Sequence, residues 1–153
     1  MVETHNLILG ILPLYLVHLA GGILKGRTRL QKLVFLAQKK ANDQIDYEFT
    51  SGWYGPVSYR LMELIQSMSG MGLIKERIGT TAAGFTVAEY HLTKQGKELV
   101  GFALSKGIIP NRLRSKVKEA FEEYGHLPFM KLLDRVHKEY PDWVERNPAA
   151  LWP

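Results

Sequence analysis

A mainly helical α+β fold with one small antiparallel hairpin is what the sequence predicts, and three observations predict it. Residues 73–78 alternate Ile74, Glu76 and Ile78 against Leu73, Lys75 and Arg77, and residues 85–92 set Phe85, Val87 and Glu89 against Thr86, Ala88 and Tyr90, the period-two pattern of strands. Gly79 and Gly84 bracket Thr80, Thr81, Ala82 and Ala83, so the connection is longer than a two-residue turn and should project as a lobe. Apolar positions at helical spacing come directly before this pair and again after it. Helix, hairpin, helix is the order of a winged helix-turn-helix with additional C-terminal helices; an ordinary β-hairpin is the alternative, and the preceding helix is what makes it a wing.

The first element spans residues 7–24, LILGILPLYLVHLAGGIL, uncharged apart from a protonatable His18 and just long enough for a transmembrane helix to be considered. Pro13, His18, Gly21 and Gly22 interrupt it, and no basic stretch precedes it, so a buried helix without stable membrane insertion is expected. If Ile8, Leu12, Tyr15 and Leu19 face the core, Leu9, Leu14 and Val17 still need cover, and a homodimer interface would provide it. Core, dimer interface and membrane association are the three fates open to this segment.

A second helix should start at a Thr28 N-cap and run to Asn42, with Leu30, Leu33, Val34, Ala37 and Ala41 inward. At ~100° per residue, Arg29, Lys32, Lys39 and Lys40 share one arc, with Leu36 in its midst. That arc is either a solvated face or a phosphate-binding one, in which Arg27, Arg29 and Lys32 are the candidate contacts. Residues 43–53 read as a short strand on Ile45, Tyr47 and Phe49, leading to a Tyr54-Gly55-Pro56 turn. Pro56 or Ser58 then opens a helix carrying Leu61, Leu64, Ile65 and Met68 inward. Its outward positions are Tyr59, Arg60, Glu63, Gln66 and Ser67, of which Arg60 and Gln66 suit base edges. One arginine is a thin endowment for a reading helix. In a DNA-bound wing, Lys75, Arg77, Thr80 and Thr81 would meet the backbone or minor groove, with Ser58 and Tyr59 beside them at the helix start.

Thr93 should cap the next helix. After a break at Ile108, Ile109, Pro110 and Asn111, a further helix places Leu113, Val117, Phe121 and Tyr124 on one face, with Arg112, Arg114, Lys116 and Lys118 early and Glu119, Glu122 and Glu123 late. Those charges oppose the helix dipole and ask for a tertiary or ligand partner. A final helix over 128–140 has Met130, Leu133, Val136 and His137 on or near its apolar side, and the tail to 153 reads as irregular. Residues 1–105 form the winged-helix core and 106–153 a helical extension packed on the same domain.

The net charge of +5 is unevenly spread. Residues 1–42 carry six Lys/Arg against one acid and residues 91–118 seven against one, which suggests two basic surfaces for an acidic partner such as nucleic acid. Cysteine is absent, which removes disulfides, thiolate metal sites and a zinc finger, and makes a cytoplasmic protein the easier reading. Catalysis has little support. The histidines at 5, 18, 91, 126 and 137 are scattered, no Gly-x-Ser-x-Gly elbow or phosphate-cradling Gly-rich loop occurs, and no cofactor or metal is expected.

The stretches GRTRLQKLVFLAQ, YGPVSYRLMELIQSMSGMGLIKE, YHLTKQGKEL and LPFMKLLDRVHKEYPDW carry a resemblance across most of the chain. Their order resembles that of the YwgA-like proteins and, more distantly, the Panacea antitoxin domain. The most specific markers are Leu30-Gln31-Lys32-Leu33 with Tyr54-Gly55-Pro56, followed by residues 133–141. The resemblance implies a winged-helix fold associated with transcription regulation, or with antitoxins that bind protein toxins. About fifteen residues separate the second and third helices here, where a DNA-reading helix-turn-helix uses a turn of ~3 to 4, which puts major-groove insertion of residues 58–69 in doubt. Two functions follow: a DNA-binding regulator acting as a homodimer on double-stranded DNA, or a protein-interaction module anchored on Trp53, Tyr54 and Tyr59. Core packing is the ordinary role for Trp53.

Overall fold

The computed structural model describes residues 2–42 and 45–145, with side chains from residue 8 onward. Its α+β architecture has six α-helices and a three-stranded antiparallel sheet among the described residues. The order is α1 (Val2–Leu19), β1 (Ile23–Lys25), α2 (Arg27–Lys40), α3 (Tyr59–Gly70), β2 (Ile74–Thr80), β3 (Thr86–Leu92), α4 (Lys94–Ser105), α5 (Asn111–Tyr124) and α6 (Phe129–Glu139), followed by a 3-10 turn over Pro141–Trp143. The expected irregular tail beyond residue 145 lies outside the described residues.

Helix α1 runs through the middle of the molecule and touches α2, α4 and α5. Residues 11–17 are all buried, as an all-round apolar helix requires. Pro13 sits inside it and cannot donate to the carbonyl four residues back, that of Leu9. The buried hydroxyl of Tyr47 donates to that carbonyl instead, so a residue from a distant loop makes good the missing helical bond. Among the described residues no helix is long and apolar enough to cross a membrane.

Strand β3 is central, in the order β1-β3-β2. Its pairing with β2 runs from Ile74 opposite Leu92 to Thr80 opposite Thr86, and β1 pairs Ile23 with His91 and Lys25 with Glu89. Only the base of the hairpin reaches the core, through Ile74, Tyr90 and Leu92. Two faces were expected along each strand, but beyond Ile74 no side chain of β2 is buried in the core, and Ile78 and Phe85 are 70% and 71% exposed. The loop is closed by Thr81, whose N–H donates to Phe85 O at 2.8 Å and whose hydroxyl accepts from Phe85 N at 3.1 Å. Thr93 caps α4, accepting from Gly96 N at 3.0 Å, and Asn42 takes the left-handed conformation just past α2 with φ 52°.

Three expected elements differ. The helix expected over residues 7–24 ends at Leu19, and Ile23–Lys25 adds a third strand to the sheet, because the glycines at 21 and 22 turn the chain with positive φ. Helix α2 starts at Arg27 on Gly26, which provides no side-chain cap, so Thr28 is inside the helix rather than capping it. Residues 45–49 are not a strand. Ile45 and Tyr47 are buried and Phe49 half-buried, so the alternation reported burial correctly, but no neighbouring strand offers a ladder. The segment's backbone is met by side chains: Gln38 accepts from Tyr47 N at 2.8 Å and donates to Tyr47 O at 3.2 Å. On α6, Leu132, Leu133 and Val136 form the buried stripe and Met130 points outward.

Candidate nucleic-acid interface

The basic arc of α2 faces the C-terminal helices, so its cations are used inside the molecule. Lys40 pairs with Glu123 at 2.5 Å, which holds that carboxylate below its ordinary value and supplies the partner that the late acids of α5 required. Lys39 lies over the rings of Phe35 and Trp143 at 5.5 and 5.6 Å. Arg29 is half-buried and donates to Gly125 O at 3.2 Å, and burial lowers its pKa. Arg27 makes two bonds to Glu76 Oε1, at 3.2 and 3.1 Å. Of the three phosphate contacts expected on this helix, Arg27 is neutralised, Arg29 is turned toward α5, and Lys32 is out of reach.

Lys32 is 1% exposed. Its ammonium donates to Pro56 O at 2.9 Å, and desolvation lowers its pKa to about 8, because burial penalises the charged form. One residue earlier, Gln31 donates to Ser58 O at 2.9 Å and accepts from Ser58 N at 2.7 Å. Ser58, itself 0% exposed, caps α3 by accepting from Leu61 N at 3.1 Å. Its assignment as a DNA contact is therefore corrected too: both its backbone and its hydroxyl are committed. Just before the two anchored residues, Gly55 has φ +107°, and a Cβ there would lie 3.1 Å from Val136 Cγ1 and 3.2 Å from Lys32 Cε. Only glycine combines that backbone with that proximity.

Residues 140–145, which follow α6, close over the same place. Phe35 meets Phe49, Tyr140 and Trp143 edge-on at 5.1–5.3 Å, and Glu145 N donates to Gly52 O at 2.8 Å. The Leu-Gln-Lys helix, the Tyr-Gly-Pro turn and the segment near 133–143 are thus one packed junction. The most specific markers in the sequence hold the fold together, apart from the Tyr54 ring, which stays outside.

What remains outside is the polar side of α3 and the hairpin. Tyr59, Arg60 and Gln66 are exposed, as are Lys75, Arg77, Thr80 and Thr81. Arg60 lies 3.5 Å from Glu63 on the same helix, so the charged side chains of α3 cancel. Six further exposed cations, Lys94, Lys97, Lys106, Arg112, Arg114 and Lys118, form no ion pair among the described residues; Lys116 beside them bonds Glu119 at 3.3 Å.

Leu9, Leu14 and Val17 are buried at 6%, 0% and 0% exposure. They belong to the chain's own core, because α2, α4 and α5 cover α1, and residues 11–17 of the helix are buried within the chain itself. Trp53 and Tyr54 are each 52% exposed and Tyr59 70%, so core packing of Trp53 is corrected: the turn is pinned by its backbone and leaves the rings outside. Gln38 was not singled out in the sequence, and Gln31 and Tyr47 entered only as part of a motif and of a strand pattern, without the roles they take here. Glutamines at i and i+7 on an apolar helix face were the available signal.

Among the described residues no three His, Asp or Glu side chains gather where they could hold a metal ion. The chain matches no protein-family model, and no curated protein matches it.

Proposed function

We propose that this protein is a cytoplasmic winged-helix protein that binds double-stranded DNA through α3 and the β2–β3 hairpin, as a transcriptional regulator. One observation carries the reading. In the order α1-β1-α2-α3-β2-β3, with β1 joined to β3, an exposed polar helix face precedes a hairpin that carries Lys75 and Arg77 along its first strand and ends in Thr80 and Thr81 clear of the core. The resemblance of the motifs to YwgA-like proteins points the same way. Because α2 contributes no free cation, phosphate contact falls to Lys75 and Arg77, and base contact to Arg60 and Gln66. With so few charges, affinity should be modest and selectivity partial. A homodimer would need a surface other than Leu9, Leu14 and Val17, which the chain's own core covers.

The test is binding to labelled random duplex across a salt series, with Lys75→Glu/Arg77→Glu compared to Arg112→Glu/Arg114→Glu. A salt slope that flattens in the hairpin variant supports the reading. A slope that flattens only in the α5 variant moves polyanion binding away from the wing and overturns it.

A second reading rests on Trp53, Tyr54 and Tyr59. Half-exposed rings on a rigid turn are the residue types and setting of a protein-binding anchor, and a winged helix would then be a scaffold, as in an antitoxin-like module. Co-purification of a stoichiometric protein that Trp53→Ala releases, without nucleic-acid retention, would favour it.

A further inference from the structure

We infer that the cavity between β1, the first turn of α2 and the C-terminal end of α5 is a binding site for a small organic carboxylate. The cavity holds about 210 Å³, below the ~300–1,000 Å³ of drug-sized pockets, which fits a compact ligand. Its wall divides by chemistry. Ile23, Leu33 and Phe121 supply an apolar side, and Lys25, Arg29 and His126 supply three nitrogen-bearing side chains, while no Asp or Glu lines it.

The charge balance around the cavity is what selects the ligand. Arg29 carries five N–H donors and spends one on Gly125 O at 3.2 Å. It forms no ion pair among the described residues, although it is half-buried. Guanidinium groups removed from water are ordinarily matched by carboxylates or phosphates, commonly in bidentate geometry. Lys25, across the cavity, has a distant partner in Glu89, at 3.9 Å. Glu89 is itself shared with His91 at 3.0 Å. His126, which also lines the cavity, is held edge-on against Phe121 with centroids 5.0 Å apart. An anion entering here meets Arg29 and Lys25 without competition from a lining acid. The apolar side favours a carboxylate with a hydrocarbon body over a bare inorganic anion, whose remaining oxygens would be left against Ile23 and Phe121. The inference is independent of DNA binding, since no residue of the cavity belongs to α3 or the hairpin tip.

The experiment is an amide chemical-shift titration of the whole chain with benzoate, with benzamide as the uncharged molecule of the same shape. Saturable shifts confined to Lys25, Gly125, His126 and their neighbours are expected, with benzamide at least about tenfold weaker. Arg29→Gln should abolish the response. Lys25→Gln, at an exposed position where folding is not at stake, should weaken it, and Arg112→Gln, at the other end of α5, should leave it unchanged. Equal responses to benzoate and benzamide, shifts scattered over the surface, or no saturable shift would each overturn the proposal.

Discussion

The junction around residues 45–58 and the β2–β3 hairpin are both rich in polar residues, yet they use them in opposite ways. In the hairpin, seven registered residue pairs join the strands, so the backbone satisfies itself and the polar side chains are left outside. The segment before α3 has no ladder, only the isolated Thr50–Val57 and Gly52–Val144 bridges. Its buried N–H and C=O groups must still be paired, and Gln31, Gln38 and Lys32 are drawn in from α2 to pair them. Polar side chains go inside where the backbone lacks partners and stay outside where it has them. A cation on an amphipathic helix is therefore read as a ligand contact only after the neighbouring backbone has been accounted for.

The contrast predicts that stability losses concentrate at the junction and binding losses at the hairpin. The largest effect is expected from Gln31→Leu, which strands the buried N–H of Ser58 and leaves its carbonyl only the long bond from Met62 N, and should cost about 3 kcal/mol, read as a shift in urea midpoint. A loss within the range of ordinary surface substitutions would erase the distinction between the two regions. Gly55→Ala should follow at about 2 kcal/mol, since it forces a side chain into φ +107° against Lys32 and Val136.

Lys32 supplies a pH test. Its folded pKa of about 8 lies below the ordinary 10.5, so between those values the unfolded chain binds more protons than the folded one. Stability should therefore rise as pH increases through that window. The buried tyrosines Tyr47 and Tyr90, whose pKa values burial raises above 10.0, oppose the trend above that pH, because there the unfolded chain ionises first. Urea midpoints across the window should climb in the natural protein and stay flat, up to pH 10, in Lys32→Met.

Tyr47→Phe should cost about 1 to 2 kcal/mol by stranding the Leu9 carbonyl. In a Pro13→Ala background, where residue 13 regains an N–H for that carbonyl, the cost should shrink, and a double-mutant cycle measures the difference. The smallest stability change is expected from Lys75→Ala/Arg77→Ala, within about 0.5 kcal/mol. If the hairpin binds DNA, the same pair should lower affinity for all sequences and reduce the salt slope by roughly 2. Arg60→Ala should relax sequence choice instead.

Local pattern was enough for the elements that satisfy themselves. Alternation marked β2 and β3, Thr93 marked the start of α4, helical spacing marked α3 and the buried face of α5, and Asn42 marked the end of α2, because backbone pairing, capping and amphipathicity act over a few residues. Local pattern also brought Gln31, Lys32 and the Tyr-Gly-Pro turn into view as the most specific stretches of the chain. Their role was hidden, because the partners of Gln31 and Lys32 lie 27 and 24 residues away. Periodicity places a side chain on a helix face but is silent about whether water or a carbonyl waits there. Packing of α2 against α5, α6 and the 45–58 segment turned Lys32 inward, took up the rest of the basic arc, and enclosed Leu9, Leu14 and Val17, since each depends on chain segments that meet only when the whole core closes.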